Sequence, residues 1–70
     1  MKKYVLEAED ANGDAFISTY YDEDEAEAIY NEITNDPATI CATLTLYYVY
    51  GGMCQGDETL KEYNREDPQQ

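Results

Sequence analysis

The chain has 70 residues and a formal net charge of −12, with 16 acidic side chains against four basic ones. A chain of this length holds one small domain, and its eight tyrosines and 43% apolar content set it apart from disordered acidic segments, which lack aromatics. The absence of histidine leaves no imidazole base for a Ser or Cys nucleophile and no His/Cys metal site, and the acidity disfavours direct binding of nucleic acid. Paired carboxylates leave acid/base catalysis open, but so small a domain offers no evident enclosed pocket for it. We expect a folded acidic domain that is not an enzyme and needs no metal or cofactor.

The first predicted element is a β-hairpin centred on Asn12-Gly13. Asn and Gly tolerate the positive φ angles that a two-residue type I′ turn requires. The core-face pairs that follow from this turn are Tyr4 with Tyr21, Leu6 with Thr19, and Ala8 with Ile17. The opposite face then carries Val5, Glu7, Glu9, Phe16, Ser18 and Tyr20.

Two short patterns suggest a calcium site and a disulfide, and the sequence favours neither. Residues 10 to 14 match the first positions of a calcium-binding EF-hand loop, but Ala15 and Tyr21 stand where that loop needs Gly and Glu. Cys41 and Cys54 either form one disulfide or stay as free thiols. With no second cysteine pair in the chain, free thiols in a reducing compartment are the simpler interpretation.

A helix is predicted after the hairpin. Ala26, Ile29, Tyr30 and Ile33 form one apolar stripe at helical spacing. Asp22 and Glu25 suit a capping box at the helix start. Pro37 disfavours helical geometry in the residue before it, so the helix should end near Asn35.

A third strand follows in the segment ATICATLTLYYVY, which alternates with period two and is rich in β-branched and aromatic residues. Ile40, Ala42, Leu44, Leu46 and Tyr48 should share its core face, with a bend or break near Tyr47 because the run is long for a strand. Gly51-Gly52 should end it. A right-handed crossover then gives an α+β fold of β-β-α-β order, a three-stranded sheet of order 2-1-3 with one helix on one face. Residues 1–56 form this domain, and residues 57–70 are predicted to be a polar acidic tail that forms a short helix, an edge strand or no regular structure.

No membrane segment is predicted. The start, MKKYVLEAED, lacks the apolar core of a signal peptide. Residues 37 to 56 carry no charge, but Pro, Thr and Gly interrupt them, so the apolar run falls short of the ~20 residues that a membrane helix needs. We expect a cytoplasmic protein.

The acidic run DEDEAE is the first candidate site. Carboxylates at a helix N-terminus are stabilised by the helix dipole, but this dipole amounts to about half a charge and cannot account for five acids. Solubility or adaptation to salt is the alternative explanation. The functional interpretation is a negative surface for a cationic partner, continued by acids of the hairpin. The nine carboxylates of this predicted surface are Asp22, Glu23, Asp24, Glu25, Glu27, Glu7, Glu9, Asp10 and Asp14.

Aromatic residues on the sheet face away from the helix are the second candidate site. Tyrosine suits half-buried strands and is also favoured at protein interfaces. Phe16, Tyr20 and Tyr47, with Val5 and Val49, would form an open contact patch for a partner or a second copy of the chain.

In size, acidity and hairpin-helix-strand order, with the DEDEAE run at the helix start, the chain resembles the anti-CRISPR and anti-restriction inhibitors of phages and mobile elements, several of which mimic DNA. The resemblance implies an inhibitor that binds the basic nucleic-acid-binding surface of a protein such as a CRISPR effector or a restriction enzyme, in the cytoplasm of a bacterial host cell. The alternative is a small homodimeric interaction module whose charge only confers solubility, which the uncharged stretch 37–56 favours.

Overall fold

A computed structural model describes residues 1–65 as four strands and one helix. The elements in chain order are β1 (Lys2–Asp10), β2 (Ala15–Tyr20), α1 (Glu23–Thr34), β3 (Thr39–Tyr50) and β4 (Met53–Asn64). All neighbouring strands are antiparallel, in the order β2-β1-β3-β4. The α+β class, the single helix and the relative order of the first three strands are confirmed.

The predicted three-stranded sheet is wrong, because β4 adds a fourth strand at the edge beside β3. Gly51 and Gly52 end β3 as expected, and their φ angles of 57° and 79° are both positive, as a type I′ turn requires. Tyr50 consequently lies opposite Met53, and the chain returns along β3. Residues 57 to 64 of the predicted tail thus belong to an edge strand, and residues 66 to 70 lie outside the described part of the chain.

The predicted register of the first hairpin is also wrong, by one residue. The loop has three residues: the Gly13 N–H donates to the Asp10 carbonyl at 3.0 Å, and Gly13 has a φ of 88°. The Asp10 carboxylate accepts from the N–H groups of Asn12 at 2.9 Å and Asp14 at 3.1 Å. These two bonds favour a three-residue turn, in which the glycine forms a bulge, over the predicted two-residue turn. The observed pairs are Tyr4 with Tyr20, Leu6 with Ser18, and Ala8 with Phe16.

A shift of one residue moves every side chain of a strand to the other face of the sheet. Phe16 and Tyr20, predicted on the open face, therefore lie on the face that α1 covers, where Tyr20 packs against the core. Ile17, predicted in the core, lies on the open face and is 68% exposed. The candidate contact patch on the open face therefore loses Phe16 and Tyr20 and gains Ile17.

The predicted helix is confirmed at both ends. The Asp22 carboxylate accepts from the Glu25 N–H at 3.2 Å, and Asn35 is the C-cap. Ala26 and Tyr30 are buried, while Ile29 and Ile33 pack partly buried against the core. The apolar stripe thus holds α1 on the sheet, with its acidic first turn in solvent.

The core lies between α1 and the central strands. It consists of Tyr4, Leu6, Ala26, Tyr30, Ala42, Leu44 and Leu46, and Leu60 and Tyr63 of β4 extend it. The alternation of β3 is confirmed over Ala42, Leu44 and Leu46. β3 runs without a break, so the bend or break predicted near Tyr47 is not observed. The pairing of β3 with β4 shifts by one residue at two places, and the extra residue lies in β4 each time, as Gln55 and as Leu60.

Burial of Tyr30 makes stability depend on pH at the alkaline end. Burial, followed by the charges of Glu62 and Tyr63, raises the pKa of the Tyr30 phenol above its usual 10.0. The stability that the neutral phenol contributes is present below the unfolded-state pKa and is lost as the pH rises above it. We expect the free energy of unfolding to fall more steeply above pH 10 in the wild type than in Tyr30→Phe, as measured by urea unfolding at a series of pH values. Parallel curves for the two proteins would contradict this.

Candidate functional site

The structure separates the predicted acidic surface into two groups at opposite ends of β2. The helix acids are Asp22, Glu23, Asp24, Glu25 and Glu27, at the start of α1, and the turn acids are Asp10 and Asp14, at the β1–β2 loop. α1 follows β2 directly, so the two groups are separated by the six residues of β2, or about 20 Å. They lie on the same edge of the domain, one at each end.

Four of the helix acids, all but the half-buried Glu27, are exposed at the helix start. Asp22 caps the helix through its bond to the Glu25 N–H, while Glu23, Asp24 and Glu25 form the exposed first turn. Lys2 and Lys3 lie at the same end of the domain, where β1 begins. The five helix acids outnumber these two lysines.

Glu7 and Glu9 do not join either group. Both lie on β1, Glu7 between the two groups and Glu9 next to Asp10, and the pairing of Glu7 with Ile17 places them on the open face. Glu9 lies 3.9 Å from the Cys41 thiol through one carboxylate oxygen. The predicted nine-carboxylate surface therefore includes two faces of the molecule.

The edge strand between the two acidic groups contains Phe16 and Tyr20, which the sequence predicts as part of the open contact patch and not as part of the acidic surface. Its sequence, AFISTY, carries no charge, in a chain where 16 of 70 residues are acidic. β2 has β1 on one side only, so the backbone groups on its other side have no strand partner. The absence of charge over these six residues is the sequence signal for this edge.

A groove lies between β2 and α1 beside the turn acids. Its floor is apolar and its rim is acidic, and it has a volume of about 290 Å³. The floor includes Phe16, Ile29 and Ile33, and the rim includes Asp10, Asp14 and Glu32. This combination suits the aliphatic stem and charged head of a lysine or arginine side chain. Glu32 was not predicted as a site residue, although it follows Ile29 by one helical turn.

The sheet face opposite α1 forms a second surface. Val5, Tyr47 and Val49 line it with Ile17, and Lys3 and Glu7 lie beside them. Tyr47 is thus where the sequence predicts it, whereas Phe16 and Tyr20 lie on the other face and Ile17 takes their place. The patch is apolar in the middle and carries charges of both signs around it.

Residues 1–65 contain neither a disulfide nor a cluster of side chains arranged to bind a metal ion. Cys41 and Cys54 are free thiols, placed opposite Asn64 and Val49 on the same pair of strands, about 26 Å apart along the ladder. In this part of the chain no group of three or more His, Cys, Asp or Glu side chains is arranged to hold a metal ion.

Comparison with known protein families, curated proteins and solved structures finds no match to this chain. The fold defines a small α+β domain with one helix on an antiparallel sheet. Among residues 1–65, no helix is long and apolar enough to cross a membrane.

Proposed function

We propose that this chain is an acidic inhibitor that binds the basic nucleic-acid-binding surface of a target protein, such as a CRISPR effector or a restriction enzyme, in the cytoplasm of a bacterial cell. The observation that carries the proposal is the pair of acidic groups at the two ends of one uncharged edge. A cationic channel or cleft is the complement of such an edge. We expect the protein to have no catalytic activity of its own.

The density of charge on this side of the domain supports the proposal. Nine acids lie along α1, its two ends and the adjoining turn, namely Asp10, Asp14, Asp22, Glu23, Asp24, Glu25, Glu27, Glu32 and Asp36. A duplex about 25 Å long carries roughly 15 phosphates, of which about half face any one direction. One side of the small domain therefore offers a number of charges close to that of one side of DNA.

The folded scaffold adds to the effect of the charge. Fixed negative groups attract a basic partner over several ångströms and accelerate encounter, and exposed aromatic area then adds short-range contact. Tyr21 is 66% exposed and Phe16 42% exposed, and both adjoin the acidic groups. Attraction and contact area thus coincide along β2.

Affinity capture from a bacterial lysate tests the proposal. The tagged protein is incubated at about 0.1 M salt and washed at about 0.5 M salt, where the Debye length is much shorter, and the released proteins are identified. We expect proteins that bind nucleic acid, a CRISPR effector or a restriction enzyme among them. Recovery of neutral or acidic proteins that stay bound in high salt would contradict the proposal.

The open sheet face favours a second candidate function, a homodimeric interaction module. A sheet with one apolar face uncovered can pack against a second copy, and Tyr47 is central to that face. If this module forms, light scattering should give the mass of a dimer. Tyr47→Lys, which places a second cation opposite Lys3, should reduce that mass to a monomer.

The matched control for Tyr47→Lys is Tyr50→Lys. Tyr50 is 66% exposed at the β3–β4 turn, away from the open face, so this change should leave a dimer intact. A wild type that is monomeric at every concentration, and a Tyr47→Lys variant that behaves like it, would exclude the module.

A further inference from the structure

We propose that the β2 edge binds an extended basic segment of the target as a fifth strand, antiparallel or parallel to β2, with one lysine or arginine side chain in the groove between β2 and α1. This inference rests on the proposed function and specifies which part of the target is bound. It requires free backbone groups on β2, an edge open to pairing, and charge that selects a basic strand.

Alternation of the β1–β2 ladder identifies the free backbone groups. The Asp10 N–H donates to the Asp14 carbonyl at 3.0 Å, so residues 10 and 14 form a hydrogen-bonded pair. In an antiparallel ladder every second pair is bonded in this way. The N–H and C=O groups of Phe16, Ser18 and Tyr20 therefore point toward β1, as those of Asp14 do. The N–H and C=O groups of Ala15, Ile17 and Thr19 therefore point away from β1, in the direction that a further strand would occupy.

The two edges of the sheet differ in their protection against such pairing. Natural sheets protect edge strands with bulges and charged side chains. β4 has two irregularities in its pairing with β3 and carries four charged residues, Asp57, Glu58, Lys61 and Glu62. β2 has neither bulge nor charge over Ala15–Tyr20. The unprotected edge is thus the one with acids at both ends.

Charge selects the occupant of this edge. A strand with basic residues near its two ends would place them beside the turn acids and the helix acids, and its apolar residues beside Phe16 and Ile17. One basic side chain on the α1 side would reach the groove, whose rim includes Asp10, Asp14 and Glu32. A second copy of this chain, with a net charge of −12, would instead place acids beside acids. The edge therefore favours a basic strand over self-association.

A synthetic peptide tests the inference directly. The probe has ten residues, with Arg-Lys at each end and alternating Val and Thr between, and the control probe has Glu at those four end positions. Amide hydrogen exchange is followed by NMR with and without peptide. We expect the basic peptide to slow exchange at Ala15, Ile17 and Thr19 at least tenfold, with binding weakened at least tenfold between about 0.1 and 0.5 M salt, and the acidic peptide to have no effect.

Proline substitution provides the matched variants. Ile17→Pro removes an outward N–H from the β2 edge and leaves the hydrogen bonds between β1 and β2 intact. The control is Cys54→Pro, which removes an outward N–H from the β4 edge, where Cys54 lies opposite Val49 next to the turn. Retained slow exchange at Leu6 shows that each variant is folded. We expect Ile17→Pro to weaken binding of the basic peptide at least tenfold and Cys54→Pro to leave it unchanged.

Four results would overturn the inference. The first is exchange at residues 15, 17 and 19 that is unaffected by the basic peptide, and the second is equal binding of the acidic peptide. The third is protection of these amides that rises with protein concentration in the absence of peptide, which would identify a second copy as the occupant. If Ile17→Pro still captures the cellular target in a salt-sensitive manner, the edge inference fails while the proposed function stands.

Discussion

Neutralising the first turn of α1 should weaken capture of the target about 100-fold. The variant is Glu23→Gln, Asp24→Asn, Glu25→Gln, which changes three exposed carboxylates and raises the net charge from −12 to −9. Charge pairs at an interface contribute on the order of 1 kcal/mol each, and three of them give about a hundredfold change in affinity. Surface plasmon resonance against the captured target measures the effect. The fold should persist, because Asp22 still caps the helix and repulsion within the turn is relieved.

The matched control carries the same change in charge at the other edge. Asp57→Asn, Glu58→Gln, Glu62→Gln also gives −9, and all three residues are exposed on β4. Its affinity should stay within about threefold of the wild type, since only the long-range field is reduced. Equal loss in the two variants would mean that total charge matters and the position of the helix acids does not.

Leu44→Ala should remove most of the stability of the domain. Leu44 is fully buried in the centre of β3, and removing a buried leucine side chain costs about 3 kcal/mol through lost transfer energy and the cavity left behind. A core of this size supplies only about 3–5 kcal/mol of net stability. Urea unfolding followed by circular dichroism should therefore show a midpoint near zero denaturant.

Ile17→Ala is the control for the core substitution. It removes a similar apolar side chain from a residue that is 68% exposed on β2, so the free energy of unfolding should change by less than about 0.5 kcal/mol. A large loss at Ile17, or a small one at Leu44, would contradict the assignment of core and open face.

The fold was predictable where periodicity and capping agree. The stripe from Ala26 to Ile33, the cap at Asp22 and the stop before Pro37 each act within one helix, and each is confirmed. The alternation of β3 was equally clear, because a strand that buries one face repeats every two residues. These signals depend on short-range geometry that the sequence expresses directly.

The hairpin register depends on the side chain of Asp10, which lies outside the Asn-Gly pair used to predict the turn. Asn-Gly favours a two-residue turn, but the Asp10 carboxylate bonds two N–H groups of a three-residue loop. The longer loop shifts the register by one residue, so Phe16, Ile17 and Tyr20 lie on the opposite faces of the sheet from those predicted. For β4 the sequence leaves an edge strand open beside a short helix or no regular structure, because Leu60 and Tyr63 stand at helical spacing and the irregular pairing at Leu60 disrupts the period of two.

The candidate site was predictable in composition and unpredictable in arrangement. Sequence patterns identify the acids, but their separation into two groups follows from the length of β2 and from the reversal of the chain at each of its ends. Glu32 joins the turn acids only because α1 runs back along the hairpin. Such proximity is a property of the tertiary fold.

Competition with duplex DNA tests the central claim most directly. The captured target is immobilised, the protein is bound at about 0.1 M salt, and a DNA duplex that the target recognises is titrated in. We predict that the DNA displaces the protein in proportion to its occupancy of the target, since the two would share one basic surface. Simultaneous binding of protein and DNA, with the affinity of each unchanged by the other, would contradict the account.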